Sequence, residues 1–293
     1  MTKTSLCNGV RSDLVDQVVL ITGAANGIGA ETARRLVARG ARVALLDRDR
    51  DALDRLTEEL GSGAAGFLVD VADAASVDAA VRAAAERFGG IDTVVANAGI
   101  SGPTRTVAAV DPLEFEQIIQ INLLGVFRTV RAALPYVTER GGYVMVVSSI
   151  MAAVASPAVS GYAASKAGVE AFGRALRIEL AGAGVRVGIA YFGMIDTGML
   201  RGAVDSGMGK VLAVLPESLR KPAPVTAAGA VIVSGIERRA RRVYAPNYVP
   251  LLLDLRTVLA LADPLLARSR RIAELVRGAG ERPVAANSVE VDQ

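Results

Sequence analysis

Short apolar runs alternate with longer amphipathic stretches along most of this 293-residue chain. Apolar runs of three to six residues suit strands that are buried on both faces of a parallel sheet. The predicted strands are Val18–Ile21, Val43–Leu46, Phe67–Val69, Thr93–Ala96, Tyr143–Val147 and Val185–Ala190. The predicted helices are Gly27–Arg39, a polar helix ending at Leu60, Asp73–Phe88, Pro112–Leu134 and Ser160–Leu180.

The regular alternation of strands and helices predicts βαβ units, and right-handed crossovers then place helices on both faces of the sheet. We therefore expect an α/β fold with a doubly wound parallel sheet of the Rossmann type. No linker divides the chain, so we expect one domain over residues 16–245. Residues 1–15 would form an N-terminal extension, and residues 246–293 a basic and apolar helical extension.

The composition limits the chemistry that this chain can perform. It has no histidine, which excludes a Ser-His-Asp triad and histidine metal ligands, and we expect no metal site. Proton transfer must therefore use tyrosine, lysine or carboxylic acids. Cys7 is the only cysteine, and residues 1–16 lack the apolar core of a signal peptide, so we expect a cytoplasmic protein.

A glycine-rich turn joins the first predicted strand to the first predicted helix. Glycines allow a tight turn and a close approach to a pyrophosphate, while the helix N-terminus presents free N–H groups. The spacing, Gly-x-x-x-Gly-x-Gly, differs from the usual Gly-x-Gly-x-x-Gly, and an ordinary glycine-rich connection is the alternative. The residues predicted to contact a dinucleotide here are Gly23, Asn26, Gly27, Ile28 and Gly29.

Acidic residues follow the second and third predicted strands. Asp47 is placed to accept a hydrogen bond from the ribose 2′-hydroxyl of NAD and to repel a 2′-phosphate. The adjacent Arg48 is able to bind that phosphate, so NADP stays possible. Asp70 and Val71 are placed for the adenine. For both aspartates the alternative is a helix N-cap.

Three polar side chains near the middle of the chain suggest proton transfer. Tyr162 and Lys166 are four residues apart on a predicted helix, so both can reach one ligand, and Ser149 precedes them. Free tyrosine titrates near pH 10, and a nearby ammonium is expected to lower its pKa. With the glycine turn, these residues indicate hydride transfer between a nicotinamide and a carbonyl or alcohol. The alternative is a half-buried tyrosine beside a solvated lysine.

Several motifs in this order resemble the short-chain dehydrogenase/reductase family, over roughly Asp16 to Tyr244. The resemblance implies that Tyr162 is the acid/base, that Ser149 binds the substrate oxygen, and that Lys166 holds the nicotinamide ribose and lowers the tyrosine pKa. Asn122 would order a water in a proton relay. Motif residues implied to stabilise the sheet or contact the cofactor are Asn97, Ala98, Gly99, Gly193, Ile195 and Thr197.

Two features depart from the family pattern. The family usually has Pro-Gly after the sixth strand, where this chain has Phe192-Gly193, and we expect Phe192 to shape the nicotinamide side of the site. The chain also continues well past Tyr244. The resemblance implies a substrate lid at 194–224, and its methionines and glycines favour a lipophilic substrate. Packing of those residues on the protein alone is the alternative.

The segment Arg238–Arg282 carries ten arginines and four acidic residues. Arginines beside apolar helix faces suit peripheral contact with an anionic membrane surface. A helix packed on the rest of the protein or on a partner subunit is the alternative that we favour. No nucleic-acid recognition motif accompanies the charge. The resemblance implies a homodimer or homotetramer formed through the two long helices.

The leading interpretation is an NAD(P)-dependent oxidoreductase, with NAD favoured, that interconverts a secondary alcohol and a ketone. An epimerase or dehydratase of related fold is a second hypothesis, although the usual glycine loop and large C-terminal domain of those proteins are missing here. A nucleotide-sensing or lipid-binding protein without catalysis is the third. A protein that only binds ligands would not need Ser149, Tyr162 and Lys166 together.

Overall fold

The computed structural model describes residues 13–154, 156–209 and 220–280. Most of the predicted N-terminal extension, the lid residues 210–219 and the end of the C-terminal extension lie outside these ranges. The described strands are β1 (Val18–Thr22), β2 (Arg42–Asp47), β3 (Ala64–Leu68), β4 (Thr93–Ala96), β5 (Tyr143–Ser149), β6 (Arg186–Phe192), β7 (Ile195–Asp196), β8 (Ala223–Pro224) and β9 (Arg242–Ala245).

Seven of these strands form one parallel sheet in the order β3-β2-β1-β4-β5-β6-β9. β7 and β8 form a separate two-stranded pair. The strand order reverses between β1 and β4, so the crevice at their carboxyl ends is the expected position for a ligand in such a sheet. The predicted doubly wound fold is confirmed.

The helices lie on both faces of the sheet. The described helices are α1 (Gly27–Val37), α2 (Arg50–Leu60), α3 (Ala74–Phe88), α4 (Pro112–Ile119), α5 (Gly125–Glu139), α6 (Ser160–Glu179), α7 (Gly198–Ala203), α8 (Val225–Glu237), α9 (Val249–Asp254), α10 (Arg256–Ala260), α11 (Asp263–Ala267) and α12 (Arg270–Gly280). Buried residues of α1, α2 and α8 cover one face, and buried residues of α3, α5 and α6 cover the other.

The third strand was misplaced by the sequence prediction. It runs over Ala64–Leu68 and ends two residues before Asp70, whereas the prediction was Phe67–Val69. Its first residues are small because α2 packs against them: a Cβ on Gly66 would lie 2.7 Å from the Thr57 hydroxyl oxygen. Small residues have weak strand propensity, so the apolar pattern concealed the beginning of the strand.

The long helix predicted over Pro112–Leu134 is longer and is interrupted. A π-helical turn over Gln120–Leu124 separates α4 from α5, and α5 continues through Pro135 to Glu139. Proline usually ends a helix, which is why the sequence favoured an end at Leu134. Isolated π-turns occur frequently at functional sites.

The strand β9 was missed by the sequence analysis. It pairs in parallel with β6 at the sheet edge, and the ring of Tyr244 stacks on Tyr191 at 5.8 Å between centroids. Val243 and Ala245 of this strand are both buried. Arginines on either side of the start of the strand interrupt the apolar pattern that would have indicated it. A short edge strand in a basic segment therefore gives little periodic signal.

Candidate active site

The glycine turn between β1 and α1 closes tightly on itself. Gly23 and Gly27 have φ angles of +63° and +54°, a region that favours glycine. A Cβ on Gly29 would overlap the carbonyl oxygen of Gly23 and lie 2.9 Å from its carbonyl carbon. Any larger residue at position 29 would therefore force the turn open.

The turn borders a cavity of about 720 Å³ at the carboxyl ends of β1 and β4. Asn26, the N-cap residue of α1, makes no side-chain capping hydrogen bond. The first N–H groups of α1 therefore stay available for an anion. The closed turn, this helix terminus and the adjoining cavity fit a dinucleotide. Residues predicted to contact it that line the cavity are Gly23, Asn26, Gly27, Ile28, Asp47, Arg48, Asp70, Val71, Asn97, Ala98, Gly99 and Thr197.

Asp47 links the end of β2 to the glycine turn. Its carboxylate accepts hydrogen bonds from the backbone N–H of Ala25 at 2.9 Å and of Asp49 at 3.1 Å. The N-cap of α2 is Asp49, whose side chain accepts from Ala52 N–H. The alternative that Asp47 caps this helix is therefore wrong, and its carboxylate lies at the cavity wall.

The arrangement after β3 is similar. Asp73 caps α3 by accepting from the N–H of Ala75, while the carboxylate of Asp70 accepts from the N–H of Ala72 at 2.9 Å. The capping alternative for Asp70 is therefore also wrong. Asp70 and Val71 line the same cavity as Asp47.

Asn97 fastens the loop after β4 to the glycine turn. Its side-chain Nδ2 donates to the carbonyl oxygens of Thr22 at 3.0 Å and Gly23 at 3.1 Å. Its backbone N–H donates to the Thr22 hydroxyl at 3.1 Å. The same loop continues to Gly99, where a Cβ would lie 3.1 Å from the Asn122 side-chain oxygen. Asn97 therefore fixes both loops that line the crevice.

Ser149, Tyr162 and Lys166 come together at a second cavity of about 1010 Å³. The two cavities share wall residues, among them Gly99 and Thr197, so the three side chains lie beside the end of the dinucleotide cavity. Ser149 is at the carboxyl end of β5, and Tyr162 and Lys166 are on α6. The sheet and the helix therefore bring together residues that are far apart in the sequence.

Two adjacent serines end β5, and the structure distinguishes them. The hydroxyl of Ser148 donates to the carbonyl oxygen of Lys166 at 2.8 Å. The hydroxyl of Ser149 donates to the carbonyl oxygen of Phe192 at 3.1 Å and also hydrogen-bonds Tyr162. Ser149, as the family spacing indicates, is the serine beside the phenol.

The expected lowering of the Tyr162 pKa is not found. Burial raises the pKa of the phenol, and the hydrogen bond with Ser149 opposes this rise. The Lys166 ammonium lies 5.7 Å from the centroid of the tyrosine ring and donates to the carbonyl oxygen of Val147 at 3.0 Å. Without a bound nicotinamide the pKa of Tyr162 is therefore raised, because burial disfavours the charged phenolate.

Lys166 is almost fully buried, at 4% exposure, and this burial lowers its pKa to about 8 from 10.5. Between these pKa values the unfolded chain binds a proton that the folded chain does not, so stability rises as the pH increases from 8 to 10.5. Below pH 8 the buried ammonium lowers the free energy of unfolding by about 3 kcal/mol, relative to a neutral lysine.

We therefore expect Lys166→Met to stabilise the protein at pH 7 by about 1–2 kcal/mol, since loss of the bond to Val147 offsets part of the gain. The difference in the free energy of unfolding between the variant and wild type should decrease as the pH rises above 8. Urea unfolding of both proteins at pH 7 and pH 10 measures this difference. A difference that does not change with pH would contradict the burial effect.

Asn122 lies in the π-turn and is fully buried. Its Nδ2 donates to Ile100 O at 2.9 Å and to Ser165 Oγ at 3.1 Å, and its Oδ1 accepts from Ile100 N–H at 2.8 Å. The hydroxyl of Ser165 in turn donates to the carbonyl oxygen of Tyr162 at 2.7 Å. Asn122 thus joins the loop after β4 to α6. Sequence analysis missed Ser165, which is a buried polar residue next to Lys166.

The loop after β6 completes the wall between the cavities. Thr197 caps α7 by accepting from Leu200 N–H, and its methyl group would lie 3.4 Å from a Cβ on Gly27. A Cβ on Gly193 would lie 2.8 Å from the Tyr248 hydroxyl oxygen, so this glycine makes room for the segment after β9. Residues of this loop that line the larger cavity are Phe192, Gly193, Met194, Ile195 and Thr197.

The C-terminal extension forms part of the larger cavity, which sequence analysis did not predict. Leu266 on α11 and Leu275 on α12 both line it, and Leu275 is buried. From the predicted lid, Met199 and Leu200 line the same cavity. Helices packed against the rest of the protein were the alternative that we favoured for the extension. Within the part of the chain that the structure describes, no helix has the length and hydropathy needed to cross a bilayer.

Comparison with curated proteins gives relatives that match most of this chain and a larger share of their own length. The chain is 35% identical over 212 residues to 2-(R)-hydroxypropyl-CoM dehydrogenase of Xanthobacter autotrophicus, covering 69% of this chain and 85% of the relative. It is 38% identical over 190 residues to cis-4-hydroxycyclohexanecarboxylate dehydrogenase of Sinomonas cyclohexanicum, covering 64% of this chain and 76% of the relative.

Solved structures and a family model agree with these relatives. A 3-ketoacyl-(acyl-carrier-protein) reductase from Brucella melitensis, complexed with NADH, superposes with a TM-score of 0.71 at 29% identity, covering 79% of this chain and 97% of that chain. The short chain dehydrogenase family model matches residues 17–206. The chain therefore belongs to the short-chain dehydrogenase family, whose members are NAD(P)-dependent oxidoreductases.

Proposed function

We propose that this enzyme interconverts a secondary alcohol and a ketone on a lipophilic substrate, with NAD(H) as cofactor and Tyr162 as general acid/base. The observation that carries the proposal is the meeting of Ser149, Tyr162 and Lys166 beside the junction of the two cavities. The relatives named above support the alcohol–ketone pair, since their names describe dehydrogenation of hydroxy compounds or reduction of a keto compound.

Each polar side chain has a distinct role in the proposed reaction. A bound nicotinamide supplies or accepts the hydride. Burial raises the pKa of Tyr162, so the phenol keeps its proton and can donate it to a ketone oxygen. Ser149 hydrogen-bonds Tyr162 and lies within reach of the same oxygen. In the oxidation direction the phenolate form of Tyr162 accepts the alcohol proton and becomes a neutral phenol, and the charge of Lys166 favours the phenolate from which this step starts.

The proposed substrate class follows from the walls of the larger cavity. Apolar side chains dominate them, and a buried apolar ligand gains about 0.8 kcal/mol per methylene group. Methionines adapt to irregular apolar ligands. Wall residues near Tyr162 that belong to the body of the enzyme are Ile150, Met151, Val154, Phe192, Met199 and Leu200.

The function is tested with purified protein, NAD, and secondary alcohols that range from short to long and from linear to cyclic. We expect NADH to form, and to form faster with long apolar alcohols than with short ones. Deuterium at the carbinol carbon should be recovered in the reduced cofactor. Tight NADH binding without turnover of any alcohol or ketone would instead favour a non-catalytic nucleotide-binding protein.

The preference for NAD over NADP is attributed to Asp47. Its carboxylate lies at the cavity wall and would repel a 2′-phosphate. We expect wild type to bind NADH at least tenfold more tightly than NADPH, and Asp47→Ser to reduce that ratio to about one, a change of ~1.4 kcal/mol. Calorimetric titration with both cofactors measures the ratio.

Arg48→Ser is the matched variant for this measurement, because Arg48 lines the same cavity and is the candidate ligand for a 2′-phosphate. It should weaken NADPH binding and leave NADH binding nearly unchanged. A wild-type preference for NADPH that disappears in Arg48→Ser would assign cofactor choice to the arginine and overturn the NAD proposal.

A further inference from the structure

Helices α11 and α12 contribute part of the wall of the larger cavity. Their residues at this wall are apolar except for Asp263 at the first turn of α11, which is exposed. Met151 and Val154 from the segment after β5 line the same cavity. The residues from α11 and α12 that line it are Leu266, Ala267, Ile272, Ala273, Leu275 and Val276.

This part of the wall comes from outside the segment that matches the family. The family model matches residues 17–206, so α11 and α12 belong to a part of the chain beyond that match. Ser149, Tyr162 and Lys166 line the same cavity as α11 and α12. A ligand that fills the whole cavity therefore places an apolar portion against α12 while its polar end meets Tyr162.

Buried contacts dock the C-terminal extension on the body of the enzyme. Val249 and Leu253 of α9 are buried in the core cluster that includes α3, α5 and α6. At the far end, the N–H of Thr106 donates to the carbonyl oxygen of Ala279 at 3.1 Å. Both ends of the described part of the extension, residues 246–280, are thus anchored, and α10 and α11 connect them.

An ion pair supplies the polar anchor between these ends. Arg256 at the start of α10 donates from both terminal nitrogens to Glu170, at 2.8 Å and 3.1 Å. Glu170 is only 3% exposed, so loss of the guanidinium would leave a buried carboxylate without its partner. Arg174 also faces Glu170, but at 4.0 Å and from an exposed position on the same helix.

Glu170 lies on α6, four residues after Lys166 and eight after Tyr162. Residues at this spacing share one side of a helix. The extension is therefore tied to the same helix that carries the phenol and the ammonium. This contact ties the start of α10 to α6, and α11 and α12 follow α10 in the chain.

We propose that α11 and α12 form a distal subsite for an uncharged apolar tail of the substrate, and that the Arg256–Glu170 pair positions this subsite. The substrate class is a secondary alcohol or ketone with a long alkyl chain or a ring system. This inference rests on the proposed function for the reacting end of the molecule. Tail binding itself needs no turnover and is tested separately.

Direct binding of methyl ketones of increasing chain length, measured by calorimetry, tests the subsite. Wild type should bind each longer ketone roughly threefold to fourfold more tightly per methylene until the tail fills the cavity. Ketones with a terminal carboxylate should bind more weakly than neutral ketones of equal length, because the wall is apolar and its edge carries Asp263. Affinity independent of length, or tighter binding of the carboxylate series, would overturn the proposal.

Ala273→Asp places a charge in the wall at an exposed position of α12, so the fold should tolerate it. We expect the gain in affinity per methylene to disappear in this variant. Arg271→Gln on the same helix does not line the cavity and is the matched control, with the wild-type length dependence. The same length dependence in Ala273→Asp as in wild type would overturn the subsite.

The ion pair is tested with Arg256→Met against Arg174→Met, since both arginines face Glu170. Arg256→Met should weaken binding of the longest ketone at least tenfold, and Arg256→Lys should restore part of it. In Arg174→Met, ketone affinity should increase with chain length as it does in wild type. The same increase in Arg256→Met would overturn the positioning role of the pair.

Activity separates this inference from the proposed function. If longer ketones bind more tightly but no alcohol or ketone is turned over, the subsite stands and the proposed reaction fails. If short and long alcohols are turned over with the same KM, the reaction stands and the subsite fails. If the proposed reaction and the subsite are both correct, kcat/KM should rise with tail length in wild type. In Ala273→Asp, kcat/KM should not depend on tail length.

Discussion

Replacement of Tyr162 by phenylalanine is expected to lower kcat by about 10²–10⁴-fold, the usual contribution of a general acid or base. The variant removes one hydroxyl group from a side chain that is already largely buried, so the shape of the cavity stays the same. We propose that dinucleotide binding depends on the glycine turn and on the ends of β2 and β3, which this variant leaves unchanged. We therefore expect the NADH dissociation constant to change by less than about threefold, or ~0.7 kcal/mol.

Single-turnover kinetics with the best substrate, together with NADH titration, measure these two quantities. Tyr136→Phe is the matched control, because it makes the same chemical change on α5 at a position that does not line either cavity. It should have wild-type turnover. Turnover of Tyr162→Phe within a few-fold of wild type would remove Tyr162 as the acid/base and leave the proton transfer without an assigned residue.

The second large effect is expected for Gly29→Ala, which should weaken NADH binding at least about 100-fold, or ~2.7 kcal/mol. The added methyl group would overlap the carbonyl oxygen of Gly23 and approach the Cα of Ala24 at 3.0 Å. These are backbone atoms, so the turn must open to relieve the overlap. Opening moves the N–H groups at the start of α1 away from the pyrophosphate.

Thermal unfolding and NADH titration separate loss of binding from loss of fold. The overlap in the turn should also cost about 1–3 kcal/mol of stability, as for other overpacked sites. Gly182→Ala is the control, since a Cβ there meets no atom within 4 Å. NADH binding by Gly29→Ala at the wild-type level would show that the turn does not hold the pyrophosphate.

The sheet was predictable because its strands are buried on both faces. Continuous apolar runs gave β1, β2, β4, β5 and β6 to within two residues at each end. The edges of the sheet were harder to predict. β3 begins with small residues that make room for α2, and β9 begins among arginines, so neither has the apolar pattern of a central strand.

The site was predictable where its residues are close in the sequence or follow strands. The spacing of Tyr162 and Lys166 places both on one side of α6, and the aspartates after β2 and β3 lie at the edge of the sheet that contains the crevice. The orientation of individual side chains was less predictable. The Lys166 ammonium donates to the Val147 carbonyl, and the helix caps are Asp49 and Asp73, which no spacing rule distinguishes from their neighbours.

The distal wall could not be predicted, because it depends on how a distant segment returns to the sheet. Ala273 and Val276 are more than 100 residues from Tyr162, and their apolar pattern is also consistent with a membrane or subunit surface. Glu170 gave no signal, since its partner Arg256 is one of many arginines in the segment. Only the three-dimensional structure selects that pair.

The order of segments along the chain has a consequence for how substrate range evolves in this lineage. The residues proposed to move the proton and hold the dinucleotide all precede β9, while the proposed distal wall follows it. Under this proposal, changes in the chain after Ala245 would alter which molecule is accepted without altering the reaction. Conversely, sequence similarity confined to the part before β9 would transfer the chemistry between relatives but not the identity of the substrate.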